Sequence, residues 1–404
     1  MTNVAILGFG VVGSGVARLI TDNYKEVTAL GGDGINIKYI LDLRDFPESP
    51  FASRVVHDYS VILNDPEVKT VIEVMGGSHP AYEFTVSALK AGKNVISSNK
   101  EVVANFGDEF LSLAKENNVC YRFEAAVGGG IPVLAPIISF IKQNKLTEIR
   151  GILNGTTNYI LTKMFTYGDS FEDSLKDAQE RGYAERNPDA DILGIDACRK
   201  ITILSALATG KLISPDEIPT EGITKIRAAD VLAAEKLGCK IKLLGRCIVN
   251  GGEKPYVCVA PFLISPDFPL AGVSGVYNAV EVIGEPIGNV MFYGQGAGAG
   301  ATASAVVGDL MQIMQSGVSC ASPVFEKTDY QAKSAFEGFS TRWYVSLPRE
   351  CEAAAKNIFG AISIIEGTGE LSFVTDTTDE LTHKKQLERL AEAGIELKSA
   401  IRFL

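Results

Sequence analysis

Six residues near the amino terminus restrict the fold more than any others: Gly8-Phe9-Gly10-Val11-Val12-Gly13. They lie where a short apolar run at 4–7 passes into a helical pattern over 12–23. In that context the three glycines permit a tight turn, close approach of backbone to a pyrophosphate and close packing of the helix, whose amino terminus faces the phosphates. Further apolar runs at 35–41, 70–74, 94–96 and 119–124 alternate with helical patterns at 80–91 and 108–117. The alternation predicts an α/β, doubly wound parallel sheet of the Rossmann kind that binds a dinucleotide. The second strand ends at Asp42-Leu43-Arg44-Asp45. An acid there favours the ribose hydroxyls of NAD, while an arginine can hold the 2'-phosphate of NADP. Asp42 and Arg44 point in opposite directions, so both coenzymes stay open.

A chain of 404 residues is too long for one ordinary core. Past about residue 145 the pattern changes to a strand (148–153), four helices (158–166, 171–181, 194–209, 228–237) and longer antiparallel-looking strands (240–249, 255–263, 279–293), which predicts an α+β domain. The run Gly294-Gln295-Gly296-Ala297-Gly298-Ala299-Gly300-Ala301-Thr302 then leads into an apolar helix at 303–315. Its expected role is to return the chain to the nucleotide domain. A polar, linker-like stretch at 316–335 precedes strand 340–347, helix 350–359, strands 361–366 and 370–375, helix 379–393 and strand 395–403. That βαββαβ order is ferredoxin-like. The expected domains are 1–130 with about 300–317, 131–299 and 338–404.

The formal charge of -11, with no compensating basic block, argues against nucleic acid as a partner. No apolar run long enough for a membrane span and no basic leader occur, so a cytoplasmic location is expected. The seven cysteines are scattered without Cys-x-x-Cys spacing, which predicts neither zinc nor a disulfide framework. Histidines are few: His57, His79 and His383. His79 follows Gly76-Gly77-Ser78 and reads either as a nucleotide neighbour or as an exposed loop residue.

Four constellations carry chemistry. Ser98-Asn99-Lys100 follows a strand at the carboxyl edge of the sheet, where open α/β folds bind ligands. Glu124-Ala125-Ala126-Val127-Gly128-Gly129-Gly130-Ile131-Pro132 joins a carboxylate to a bent backbone whose carbonyls can ligate a hard cation; a domain hinge is the competing reading. Asn154-Gly155-Thr156-Thr157-Asn158 can bind a small polar substrate or cap a helix. Last, Glu185, Asp189, Asp191, Asp196 and Lys200 run into the apolar 201–208. Asp196 and Lys200 stand at i, i+4 on a helix apolar nearly all round, so charge is carried inside.

Taken in order, these motifs together with Gly151 to Tyr159 and Gly182 to Lys200 closely resemble homoserine dehydrogenase over roughly residues 1–315, and the tail resembles an ACT regulatory domain. The resemblance implies interconversion of L-homoserine and L-aspartate 4-semialdehyde with NADP or NAD, on the route to threonine, methionine and isoleucine. By the same resemblance Lys200 is the acid/base and Lys100 a second active-site lysine. Thr156, Glu185, Asp191 and Asp196 contact the substrate with Lys200. Gly8, Phe9, Gly10, Val11, Val12, Gly13, Arg44, Ser98, Lys100, Gly182 and Gly298 contact the coenzyme. Glu124 and the carbonyls of Val127, Gly129 and Ile131 match a monovalent-cation site, sodium for example. Ala190 stands where some members carry a second acid, which weakens the part given to Asp191. A homodimer or homotetramer and an amino-acid effector are also implied.

The residues agree with this on physical grounds, since a substrate bearing an ammonium and a carboxylate needs acids and cations in one pocket. The tail departs from the resemblance at Leu347-Pro348-Arg349-Glu350, where ACT domains often carry Asp and Gly, which argues against a feedback ligand; a regulatory or oligomer-forming domain is expected, with threonine the effector to test. Two rival readings exist. A cysteine-thioester dehydrogenase needs a thiolate beside a base, and Cys120 and Cys198 have no histidine near them in sequence. A non-catalytic NAD(P)-sensing protein needs the 185–200 cluster to be structural.

Overall fold

The computed structural model describes residues 1–31, 34–249, 254–316 and 323–404. β1 (Thr2–Leu7) passes through the glycine loop into the helix Val11–Asp22. It is followed by β2 (Ile35–Leu41), β3 (Val55–Val56), β4 (Val68–Glu73), β5 (Asn94–Ser97) and β6 (Tyr121–Arg122). All pair in parallel in the order β3-β2-β1-β4-β5-β6. Val4 to Leu7 are fully buried, the continuous apolar run that a sheet covered on both faces requires. The chain winds one way from β1 to β3 and the other way from β4 to β6. The crevice for a ligand therefore opens at the carboxyl ends of β1 and β4.

The following region adds β7 (Lys145–Ile152), β8 (Lys211–Leu212), β9 (Lys240–Ile248), β10 (Tyr256–Ile264), β11 (Tyr277–Glu285) and β12 (Gly288–Gln295). The tail adds β13 (Glu326–Lys327), β14 (Ser340–Thr341), β15 (Trp343–Leu347), β16 (Ile362–Ile365), β17 (Leu371–Thr375), β18 (Thr378–Asp379) and β19 (Ser399–Phe403). Nine of these form one sheet, β12-β11-β7-β9-β10-β19-β15-β17-β16. Its last four strands, with helices Glu352–Phe359 and Glu380–Glu392, have the βαββαβ order expected from the sequence. The tail is thus joined to the body edge to edge, through parallel pairing of Phe262 with Arg402 and Leu263 with Phe403.

That seam is closed by buried charge. Arg402, 5% exposed, donates to Glu380 at 2.5 and 3.0 Å and to Glu221 at 2.7 Å, and lies over the rings of Trp343 and Phe336. A second clasp joins Arg227 to Glu370 at 2.8 and 3.0 Å, and the Tyr344 hydroxyl donates to Asp230 at 3.0 Å. The helix Ala299–Ser316 packs back on Val11–Asp22, as the sequence predicts: a Cβ on Gly15 would lie 3.2 Å from the Ala299 carbonyl oxygen and 3.4 Å from the Ala303 Cβ.

Several expectations are corrected. The strand read at 279–293 is a hairpin, β11 and β12, turned at Pro286, which has no N–H for a ladder. The helix read from 108 starts at Lys100, because the Asn99 side chain accepts from the Glu101 and Val102 N–H groups and caps it. The strand at 119–124 keeps only two residues before a 3-10 turn at Glu124–Ala126. The helices Tyr24–Gly31 and Tyr59–Leu63 went unread. Of the linker at 316–335, residues 317–322 lie outside the described residues, as does residue 317 of the first domain; the rest includes β13 paired with β8 and the helix Ala332–Phe336. Cys120 is disulfide-bonded, which scattered spacing could not reveal; Cys320 lies outside the described residues.

Candidate functional site

The fingerprint has the geometry of a phosphate cradle. Gly8 has φ +95°, and a Cβ on Gly13 would sit 2.0 Å from the Gly8 carbonyl oxygen. Space around Gly10 is open, Val11 is exposed, and a cavity of about 700 Å³ lined by Phe9, Gly10, Val11, Arg18 and Phe46 adjoins them. These residues fit a dinucleotide. Asp42 Oδ2 accepts from the Phe9 N–H at 2.8 Å, and Oδ1 accepts from Arg44 N and Nε at 3.0 Å each. The Arg44 guanidinium first, then the backbone N–H donors against partial burial, bring the Asp42 carboxyl down to about 2. Val12 lies within the helix packed on the sheet, and Gly298, with φ +123° and open space beside it, opens the helix Ala299–Ser316. Gly182 terminates the helix Phe171–Glu180 in an exposed turn. The Ser98 N–H donates to the Glu73 carbonyl. His79 is an exposed loop residue paired with Glu83.

The second half of the site forms where β7 ends against the helix Ile195–Thr209. Lys200, 7% exposed, donates to the Leu153 carbonyl at 2.7 Å and to Asp196 Oδ2 at 2.8 Å. Lys100, the first residue of its helix, pairs with Asp196 Oδ1. Asn154 Nδ2 bridges Asp191 Oδ1 at 2.7 Å and Asp196 Oδ2 at 2.9 Å. The sequence neighbours of the two lysines are paired as well, Arg199 to Glu101 at 2.9 Å. One buried carboxylate thus gathers two ammonium groups.

Burial would raise the Asp196 carboxyl, but Lys200 and then Lys100 outweigh it and hold it well below the usual carboxylate range. Burial lowers the Lys200 ammonium against the pull of Asp196, with Lys100 adding to the lowering. Burial raises the Asp191 carboxyl against the hydrogen bond from Asn154.

Asp196, expected to contact the substrate, has both oxygens engaged by lysines and Asn154. The Thr156 hydroxyl donates to the Tyr183 carbonyl at 2.6 Å and so ties down the loop that carries Glu185. Glu185 is exposed, and Asp189 lies outside this hydrogen-bonded group, in an exposed first turn. Two residues of the site escaped sequence reading. Asn154 stood in a quoted motif whose capping role hid its amide, and it does both: Oδ1 accepts from the Thr157 N–H while Nδ2 serves the acids. Asn278 Nδ2 donates to the same Leu153 carbonyl at 2.9 Å, and no local signal marks it.

Glu124, expected as a cation ligand, also serves the backbone. Its carboxylate, 8% exposed, accepts from the N–H groups of Val133, Leu134 and Ala135 at 2.6, 2.8 and 2.7 Å, capping a helical segment. The three donors occupy two positions on Oε1 and one on Oε2, which leaves one lone pair on Oε2. The carbonyls of Val127, Gly129 and Ile131 accept none of the backbone hydrogen bonds found among the described residues, and they remain as hard oxygen donors. Gly129, with φ +59°, lies where a Cβ would meet the Gly296 carbonyl oxygen at 2.6 Å, so the loop is held against the 294–302 run. Among the described residues no cluster of His, Cys, Asp and Glu could hold a metal, and no helix is long and apolar enough to cross a membrane.

Comparison with known proteins gives one answer. Residues 132–311 match the family model for homoserine dehydrogenase, and residues 8–124 match the model for the homoserine dehydrogenase NAD-binding domain. A homoserine dehydrogenase of Synechocystis is 35% identical, covering 99% of both chains, and that of Bacillus subtilis is 39% identical over 80% of this chain and 77% of its own. The crystal structure of a homoserine dehydrogenase from Thiobacillus denitrificans superposes with a TM-score of 0.89 at 32% identity, covering 100% of this chain and 98% of that one. A hyperthermophilic archaeal homoserine dehydrogenase mutant in complex with NADPH gives 0.66 at 28% identity, covering 77% and 97%. With fold, cleft and relatives in agreement, the chain belongs to the homoserine dehydrogenase family of NAD(P)-dependent oxidoreductases.

Proposed function

We propose that Lys200 is the acid/base in the interconversion of L-homoserine and L-aspartate 4-semialdehyde. The observation that carries this is its three-donor ammonium, buried, with two donors engaged by Leu153 and Asp196 and a third left for a reacting oxygen. The reduced nicotinamide, when bound, supplies the hydride to the aldehyde carbon. Lys200 gives a proton to the oxygen as charge develops there, and takes one from the alcohol in reverse. Asp196 aligns both lysines. Lys100 faces the substrate carboxylate or the developing oxyanion, and Glu185 with Asp191 takes the substrate's ammonium.

The chain uses either coenzyme on this reading. A ribose 2'-hydroxyl competes with Arg44 for Asp42, and a 2'-phosphate competes with Asp42 for Arg44. Glu124 and the carbonyls of Val127, Gly129 and Ile131 hold a monovalent cation such as sodium at the hinge. The tail is an ACT-type module with a regulatory or assembly role, threonine being the effector to test. The protein is cytoplasmic and assembles through its second region as a homodimer or homotetramer; β12 is the outer edge of the sheet and exposes Met291 and Tyr293.

Homoserine-dependent reduction of NAD and of NADP, followed separately in the spectrophotometer, tests the reading. Turnover with both is expected. Turnover with neither would contradict it.

A further inference from the structure

The carboxyl edge of the parallel sheet holds a buried acid that touches neither coenzyme cradle nor lysine pair, yet is bonded to the loop packed on the first and to the loop that leads into the second. Glu73, the last residue of β4, is fully buried. Its Oε1 accepts from the Met75 N–H at 2.8 Å, and its Oε2 accepts from the Ser97 hydroxyl at 2.5 Å. Ser97 Oγ in turn accepts from the Asn99 N–H at 3.0 Å, and Asn99 Nδ2 donates to the Gly77 carbonyl at 2.7 Å. Asn99 Oδ1 caps the helix whose first residue is Lys100.

One carboxylate therefore ties together two adjacent crossover loops, 74–77 and 98–100. The first packs on the phosphate cradle: a Cβ on Gly8 would lie 3.1 Å from Met75 Cγ and 3.2 Å from the Val74 carbonyl oxygen. The second ends in the lysine that pairs with Asp196. Burying an acid costs stability that an apolar pair of the same volume would not cost. A merely structural contact between neighbouring strands has no need of it.

We propose that Glu73 is a positioning residue that fixes the loop packed on the glycine cradle in register with Lys100. This rests on the assignment of Lys100 and the glycine loop to the catalytic site. The test uses the full-length enzyme as wild type, Glu73→Gln, Ser97→Ala and the double variant. It measures kcat with homoserine and the Kd of ADP-ribose, which reaches the glycine loop but has no nicotinamide. Each single variant is expected to lose kcat by roughly tenfold or more, the cost of an unmet buried polar group. ADP-ribose affinity should stay within about twofold, and the double variant should be no worse than the weaker single one. Should Glu73→Gln not fold, Ser97→Ala decides by the same criteria. Near-normal kcat, a matching loss of ADP-ribose affinity, or additive losses would overturn the inference. An inactive wild type would overturn the catalytic reading and this inference with it, whereas an active wild type with unaffected variants overturns the inference alone.

Discussion

Two clusters of buried charge, one in the cleft and one at the seam with the tail, are arranged oppositely. In the cleft two lysines share one buried acid, and the Lys200 ammonium is lowered by burial while keeping one donor unspent. At the seam one arginine is shared by two acids, engaged through Nε and Nη2 and covered by Trp343 and Phe336. A lysine shifts its protonation readily when buried, whereas an arginine stays charged. The cleft is therefore suited to moving a proton and the seam to holding two layers together. Burial of charge by itself does not mark a catalytic site; unspent valence on a titratable group does.

The largest effect should come from removing the proton carrier. Lys200→Ala is expected to lower turnover by about 10² or more while leaving coenzyme binding nearly intact, as steady-state kinetics and coenzyme titration would show. Near-normal turnover would remove Lys200 from the mechanism. Next, Arg402→Leu strands two acids, of which Glu380 is the better buried, and should cost about 3 kcal/mol of stability. Protease sensitivity should then appear first in the tail; an unchanged digestion pattern would mean that the β10–β19 pairing alone holds it.

A subtler change follows from Asp196→Asn. Asp196 raises the Lys200 pKa, so its neutralisation should lower it further and shift the basic limb of aldehyde reduction to lower pH. A limb that does not move would assign it to another group. The smallest effect concerns His383, buried and stacked on Trp343 at 3.7 Å. Burial, then the charge of Arg402, brings it down from 6.5 to about 3. Its folded pKa lies below the unfolded one, so its contribution is complete above pH 6.5 and is lost as pH falls from there toward 3. His383→Phe should flatten the decline in melting temperature across that window. An equal decline in both proteins would exclude it as a source.

The sequence was legible where chemistry and local spacing coincide. Asp196 and Lys200 lie one turn apart on one helix, and the glycine loop lies at a strand-to-helix junction, so both could be read from neighbours in the chain. Lys100 needed its place at a strand end. Asn154 was hidden because one side chain both caps a helix and bridges two acids. Asn278 and Glu73 act through partners 125 and 24 residues away, set by sheet register. The three backbone donors of Glu124 were not legible, because they come from the fold of 133–135 and not from the glycine-rich bend itself. The ferredoxin-like order of the tail was readable from alternating patterns. Its fusion to the body was not, since pairing of β10 with β19 depends on contacts about 140 residues apart.

The contrast between the two clusters is tested most directly by measuring kcat and melting temperature side by side in Lys200→Ala and Arg402→Leu. The expected result is kcat lost by about 10² or more in the first, where Asp196 keeps Lys100 as a partner and melting falls less than in the second, and melting lowered with kcat within about twofold of wild type in the second. Parallel losses of activity and stability in both variants would contradict it.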